Sequence, residues 1–222
     1  MSPPATERKL RGLIFDFGGV IIKTPFELLR PMEARLGLPP HTFDWHGPFA
    51  PERDELWRRM QAGDITEREY WHERAREAGA AVGESWTMRE LVAALEASED
   101  EFVRPEGRAA LEAARAAGIP VAMLTNDLEA FHGDAWFPTL SLAPLFDVVV
   151  DGSITGYLKP DPRAYALALE ALGLEAHEAL FVDDQPRNAE GAEAVGLRAV
   201  KFDVTNPRES FGRALAEFDI GG

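Results

Sequence analysis

The sequence predicts an α/β protein, a doubly wound parallel sheet with a small helical domain inserted after the first strand. Three observations predict it: five short apolar runs, helical patterns separating the later runs, and roughly 100 residues between the first run and the second, far more than one crossover helix needs. The runs are Leu13–Phe15, Ile119–Leu124, Phe146–Val150, Ala179–Val182 and Leu197–Phe202. Their length and their valine, isoleucine and phenylalanine content suit strands buried on both faces. Glu106–Ala117 follows Pro105 and stops at Gly118; Pro162–Leu172 carries Tyr165, Leu169 and Leu172 on one face and stops at Gly173; Asn188–Val195 stops at Gly196. A proline start and a glycine stop are the ordinary ends of a helix. Strand and helix in alternation give a Rossmann-like sheet with helices on both faces. The insert reads as four helices: Phe26–Leu36, Glu52–Gln61, Thr66–Ala78 with a capping box from Thr66 to Glu69, and Thr87–Ala97. Residues 10–23 and 103–222 are therefore expected to form the core, and 24–102 a helical cap.

Composition sets the outer limits. The chain has 222 residues, no cysteine, and 38 acidic against 23 basic side chains, a net charge of −15. Disulfide scaffolds, thiolate metal sites and cysteine nucleophiles are excluded. A negative surface with no basic patch disfavours nucleic acid as a partner. No apolar run approaches the roughly 18 residues of a membrane helix, and the polar start, Met1–Lys9, lacks the apolar stretch of a secretory signal. A cytoplasmic protein with a short disordered leader is expected, as a monomer or homodimer.

Each run closes on a polar residue: Asp16, Thr125, Asp151, Asp183 and Asp203. Ligands of open parallel sheets sit outside the carboxyl ends of the strands, so these ends are the candidate site. Asp16 is followed by Phe17-Gly18-Gly19, which places a carboxylate beside bare backbone amides; a nucleophile attacking an anion suits that setting, and so does an aspartate that merely caps a turn. Thr125 and Asn126 offer a hydroxyl and an amide to an oxyanion. Lys159, before Pro160-Asp161-Pro162, offers a point charge. Asp183 and Asp184 are informative, because adjacent carboxylates at a buried strand end repel unless a cation sits between them and Asp16. Magnesium, which takes oxygen ligands and bridges to phosphate, suits such a place.

These four elements, in this order and at strand ends, resemble the haloacid dehalogenase superfamily of hydrolases over Gly12 to Phe202, with the helical insert in the position called type C1. Gly63-Asp64-Ile65-Thr66, Tyr70-Trp71, Trp136-Phe137-Pro138 and Asp183-Asp184 followed by Asn188-Ala189-Glu190-Gly191-Ala192 are similar to the bacterial subgroup that includes glucose 1-phosphate phosphatases. The resemblance implies that Asp16 is a nucleophile forming an aspartyl-phosphate, and that Gly18, Gly19, Thr125, Asn126 and Lys159 bind the phosphoryl group. It further implies that Asp16, the Gly18 carbonyl and Asp184 hold Mg2+, with Asp183 a second ligand or an outer acceptor. One position departs: phosphatases of this superfamily usually carry an acid/base aspartate where this chain has Gly18, although the similar subgroup has glycine there too. General acid–base help is worth about 10²–10⁴-fold, so a slow enzyme, a good leaving group such as a sugar 1-phosphate, or a substitute acid is expected. The cap stretch His41–Phe49, which mixes titratable groups with aromatics, is a candidate source of that acid and equally a packed loop. The alternatives are a metal-free 2-haloacid dehalogenase, against which the acidic pair argues, and a phosphate-binding protein of negligible turnover.

Overall fold

A computed structural model describes residues 9–220, so the expected leader lies outside the described residues. The chain runs β1 (Gly12–Phe15), α1 (Pro25–Arg35), α2 (Glu55–Ala62), α3 (Glu67–Val82), α4 (Met88–Leu95), α5 (Glu99–Phe102), α6 (Pro105–Ala116), β2 (Val121–Thr125), α7 (Leu128–His132), β3 (Val148–Asp151), α8 (Gly152–Thr155), α9 (Pro162–Leu172), β4 (Ala179–Asp183), α10 (Pro186–Ala194), β5 (Arg198–Lys201) and α11 (Pro207–Ala216). It divides into two compact units, residues 23–102 and the remainder.

In the core unit all five strands are parallel, in the order β3-β2-β1-β4-β5. The strand order reverses at β1, whose Phe15 pairs with Met123 on one side and Val182 on the other. Strands β1, β2 and β4 are buried throughout. The edge strands are not as buried as their apolar content suggests: β5 has exposed ends, and in β3 Val149 is 40% exposed. Each edge strand has a neighbour on one side only, and apolar content alone does not distinguish an edge from a centre. Ile14, Leu124, Phe181, Tyr165 and Ala168 make one continuous core between the sheet and its helices.

The helical unit is organised around aromatic side chains and one ion pair. Phe26 packs edge-on to Trp57 at 5.4 Å, and Tyr70 to Trp71 at 4.8 Å. Helix α2 starts three residues later than its polar pattern suggests, because Pro51–Arg53 forms a separate 3-10 turn and Asp54 is the N-cap. The buried Asp54 carboxylate accepts the backbone N–H groups of His46, Gly47 and Trp57 and meets Arg74 Nη2 at 2.6 Å. Burial alone would raise its pKa, but these donors outweigh burial and hold it low. The Arg74 guanidinium also stacks on Trp45 and Tyr70. The stretch His41–Phe49 is thus largely structural: Phe43 and Trp45 are buried against each other, the buried Glu33 accepts the N–H groups of His41 and Phe43, and His46 pairs with Asp44. An open cleft of about 410 Å³ runs along Thr42–Trp45, Arg74, Glu77 and Ala81. Among the described residues, no helix is long and apolar enough to cross a membrane.

Replacing Asp54 by alanine removes a helix cap and leaves the buried Arg74 with only the more exposed Glu77 carboxylate as a partner. The expected loss is about 3–5 kcal/mol in urea unfolding at neutral pH. The loss relative to wild type shrinks as pH falls through the depressed Asp54 pKa, where wild type loses the same interaction.

Candidate active site

The reversal of strand order leaves a crevice at the carboxyl ends of β1 and β4, and the polar residues that end those strands meet there. Asp16 extends the β1 ladder by donating its N–H to the Val182 carbonyl at 2.8 Å. Its Oδ1 accepts the Phe17 N–H at 2.6 Å, and Ile21 and Ile22 donate to the Phe17 carbonyl, so the chain turns back at once. Glycine is required in that turn: Gly19 has φ +77°, and a Cβ on it would come within 2.9 Å of Asp184 Oδ2. A Cβ on Gly18, by contrast, would meet open space.

Lys159 is 4% exposed, and its ammonium bridges Asp16 Oδ1 at 2.8 Å and Asp183 Oδ2 at 2.7 Å. Burial pulls its pKa down, and the two carboxylates more than reverse that, so the lysine is held charged. Asn126 braces the lysine's backbone from both sides: its Oδ1 accepts the Lys159 N–H at 2.7 Å, and its Nδ2 donates to the Lys159 carbonyl at 3.3 Å. Asp183 is completely buried and takes four hydrogen bonds from three donors: Lys159, the Gln185 backbone and Asn188 Nδ2, which reaches both carboxylate oxygens at 3.1 Å. Tyr165 in turn donates its hydroxyl to the Asn188 carbonyl at 2.7 Å. Thr125 ends β2, buried to 7% exposure.

Asp16, Asp183 and Asp184 bring carboxylate oxygens within 4.8 Å of one another. Desolvation pushes the Asp16 carboxyl up to about 7; Lys159 opposes the shift and Asp183 adds to it. Asp16 and Asp183 share the one ammonium, Asp184 stands within reach of both, and hard oxygen donors at this spacing suit a hydrated divalent cation such as Mg2+. Asp16, Asp183, Asp184 and the Lys159 loop therefore lie in one cluster, with Asn126 bonded to that loop, while Thr125 closes the neighbouring strand β2. Sequence reasoning missed the buttresses Gln185, Tyr165 and Arg104, and saw Asn188 only as part of a resemblance. Their side chains are ordinary polar residues on helices or linkers, with no local signal of the contacts they make.

Fold and cluster together define an α/β protein with a lysine-braced acidic centre at the switch point of a parallel sheet. Residues 10–196 match the family described as haloacid dehalogenase-like hydrolase, and the chain belongs to that family. It is 30% identical over 200 residues, 88% of its length, to mouse acyl-CoA dehydrogenase family member 10, and 35% identical over 161 residues, 72% of its length, to a phosphoserine phosphatase of Thermus thermophilus. The chain spans only 18% and 56% of the length of these two relatives. Its fold is similar to that of an L-2-haloacid dehalogenase, with a TM-score of 0.58, 23% identity, and coverage of 86% of this chain and 85% of the other.

Replacing Lys159 by methionine leaves two carboxylates facing each other in a buried place. The variant is expected to lose about 3 kcal/mol or more at pH 8. Without the ammonium, which opposes the upward shift of Asp16, that carboxyl is held still further above its unfolded pKa, so the folded state gains a proton and the deficit narrows at pH 5. Denaturant melts at the two pH values check this.

Proposed function

We propose that the chain is a magnesium-dependent phosphomonoester hydrolase acting on a small phosphorylated metabolite, a sugar phosphate for preference, through an aspartyl-phosphate intermediate. The observation that carries it is the Asp16–Lys159–Asp183 chain of contacts with Asp184 within reach. An anionic nucleophile meets an anionic substrate only where positive charge offsets both, and phosphoryl transfer asks for little beyond positioning and such charge. Phosphatase chemistry in the Thermus relative supports the reading.

Asp16 attacks phosphorus, and the ester oxygen leaves with the electrons of the broken P–O bond. Lys159, Thr125, the backbone at Gly18 and Gly19, and Asn126 hold the phosphoryl oxygens; because the Asn126 side chain clasps Lys159, its service to phosphate is chiefly to fix that lysine. Asp16, the Gly18 carbonyl and Asp184 would hold the cation, and Asp183, with four hydrogen bonds already on it, serves as the outer acceptor that orients Lys159. Bound Mg2+ supplies charge neutralisation between the carboxylates and the phosphate. Water then displaces the phosphoryl group from Asp16, releasing inorganic phosphate. With no carboxylate at position 18 to protonate the departing oxygen, anomeric and aryl phosphates are the preferred substrates. The inserted helical unit, entering directly after β1, is assigned the role of the cap that selects among them.

The second reading, dehalogenation of 2-haloacids, is favoured by the same Gly18, since displacing halide needs no acid there. An acidic pair suited to a cation serves no purpose in that reaction.

Inorganic phosphate release from a panel of sugar phosphates, phosphorylated acids and p-nitrophenyl phosphate, with Mg2+ and with EDTA, tests the proposal. EDTA is expected to abolish turnover, and Asp16→Asn to lower it to background; halide release from 2-haloacids without phosphate release would transfer the assignment to the second reading. Because protons compete with the cation for Asp16, the Mg2+ requirement is expected to rise about tenfold per unit as pH drops below about 7. Gly18→Asp, whose side chain has open space to occupy, is expected to speed hydrolysis of poor leaving groups by about 10-fold or more and to leave aryl phosphates little changed.

A further inference from the structure

Arg104 lies 85 residues beyond Gly19 in sequence and is buried to 2% exposure. Its Nε and Nη2 both donate to one acceptor, the Gly19 carbonyl, at 3.3 and 3.1 Å. The same residue donates its backbone N–H to the Ile21 carbonyl at 3.0 Å, and its neighbour Val103 bridges Ile22. The start of α6 is packed so closely on this loop that a Cβ at Gly107 would come within 3.1 Å of the Ile21 oxygen. Two donors of one rigid guanidinium fix the plane of the peptide they hold. That peptide directly follows the one that carries the Gly18 carbonyl, and Gly19 lies so close to Asp184 that a Cβ on it would come within 2.9 Å of Asp184 Oδ2.

We propose that Arg104 is a positioning residue for the cation-binding edge of the centre: by clamping the Gly19 carbonyl it fixes the Gly18 carbonyl and the seat of Asp184. The inference rests on the magnesium phosphatase reading. Of the phosphoryl-binding groups, Thr125, Asn126 and Lys159 stand on other elements and only the Gly18 and Gly19 amides lie in the clamped turn, so the clamp acts on the cation more than on the substrate. Outer partners that orient metal ligands are commonly worth about 10–100-fold in metal affinity.

The test compares wild type with Arg104→Met, Arg104→Lys and Arg104→Gln. Mg2+ binding is read from the Mg2+-induced rise in melting temperature and from Mn2+ titration followed by electron paramagnetic resonance, both without substrate; the Mg2+ and substrate dependence of phosphate release is read alongside. Arg104→Met is expected to bind the cation about 10-fold more weakly, with KM at saturating Mg2+ within about twofold of wild type. Arg104→Gln, which keeps a donor without charge, is expected to recover more of the affinity than Arg104→Met. Cation binding by Arg104→Met within about twofold of wild type overturns the inference, as does recovery by Arg104→Lys with none by Arg104→Gln, which would mark a pure charge effect. If Arg104→Met does not fold, the Lys and Gln variants decide by the same comparison. A wild type that binds neither cation and releases no phosphate removes the phosphatase reading and this inference with it, whereas normal binding and turnover in wild type with an unchanged Arg104→Met removes the inference alone.

Discussion

A buried ammonium between two buried carboxylates governs the rest of the core unit. Taking Lys159, Asp16 and Asp183 out of water costs several kcal/mol per charge, and the cost is offset only while the contacts remain near 2.7–2.8 Å. The surroundings are organised to keep them so. Asn126 grips both backbone groups of Lys159, and the Asn188 amide saturates Asp183. Tyr165 anchors Asn188 in turn, and position 191 must be glycine because a Cβ there would come within 2.8 Å of the Tyr165 hydroxyl. Residues outside the acidic centre thus set the distances between its charges.

Sheet topology explains why the charges gather at one place. Strand β1 has neighbours on both sides, and β4 joins it at the point where the winding reverses. The turn after β1 closes within a few residues through the Phe17 carbonyl, which lets Asp16 stand in the crevice while Phe17 returns to the interior, edge-on to Trp136 and Phe137. The neighbourhood of Asp16 is therefore aromatic at Phe17 and acidic at Asp183 and Asp184.

Much of this was legible in the sequence where chemistry and local pattern coincide. All five apolar runs became strands, because continuous β-branched and aromatic stretches ending in a polar residue have few other uses in a chain of alternating helices. The Asp16, Thr125 and Asp183-Asp184 elements stood out for the same reason, each being a functional group at the end of a buried run, whereas Lys159 stood out as a charge before a proline-opened helix. The short helices α5, α7 and α8 left too little periodicity to read, and the edge position of β3 and β5 is a property of the sheet rather than of either segment. The Arg104 contact to Gly19 and the double clasp of Asn126 on Lys159 are long-range hydrogen bonds, which no spacing rule encodes. The crowd of rings and charges at His41–Phe49 had two readings, and burial of Phe43 and Trp45 with saturation of Glu33 and Asp54 favours packing.

The central position of β1 also bears on biosynthesis. Of the five strands this one is made earliest, yet the partners that bury it, β2 and β4, are encoded on the far side of the inserted helices, and Val182 pairs with Phe15 only after the whole intervening stretch has been made. The helical unit has its own local contacts and is free to form in the meantime, whereas Gly12–Phe15 must wait as an exposed apolar segment for non-local pairing. Its brevity, and the acidic residue that immediately follows it, reduce the chance that the waiting strand pairs with another nascent chain.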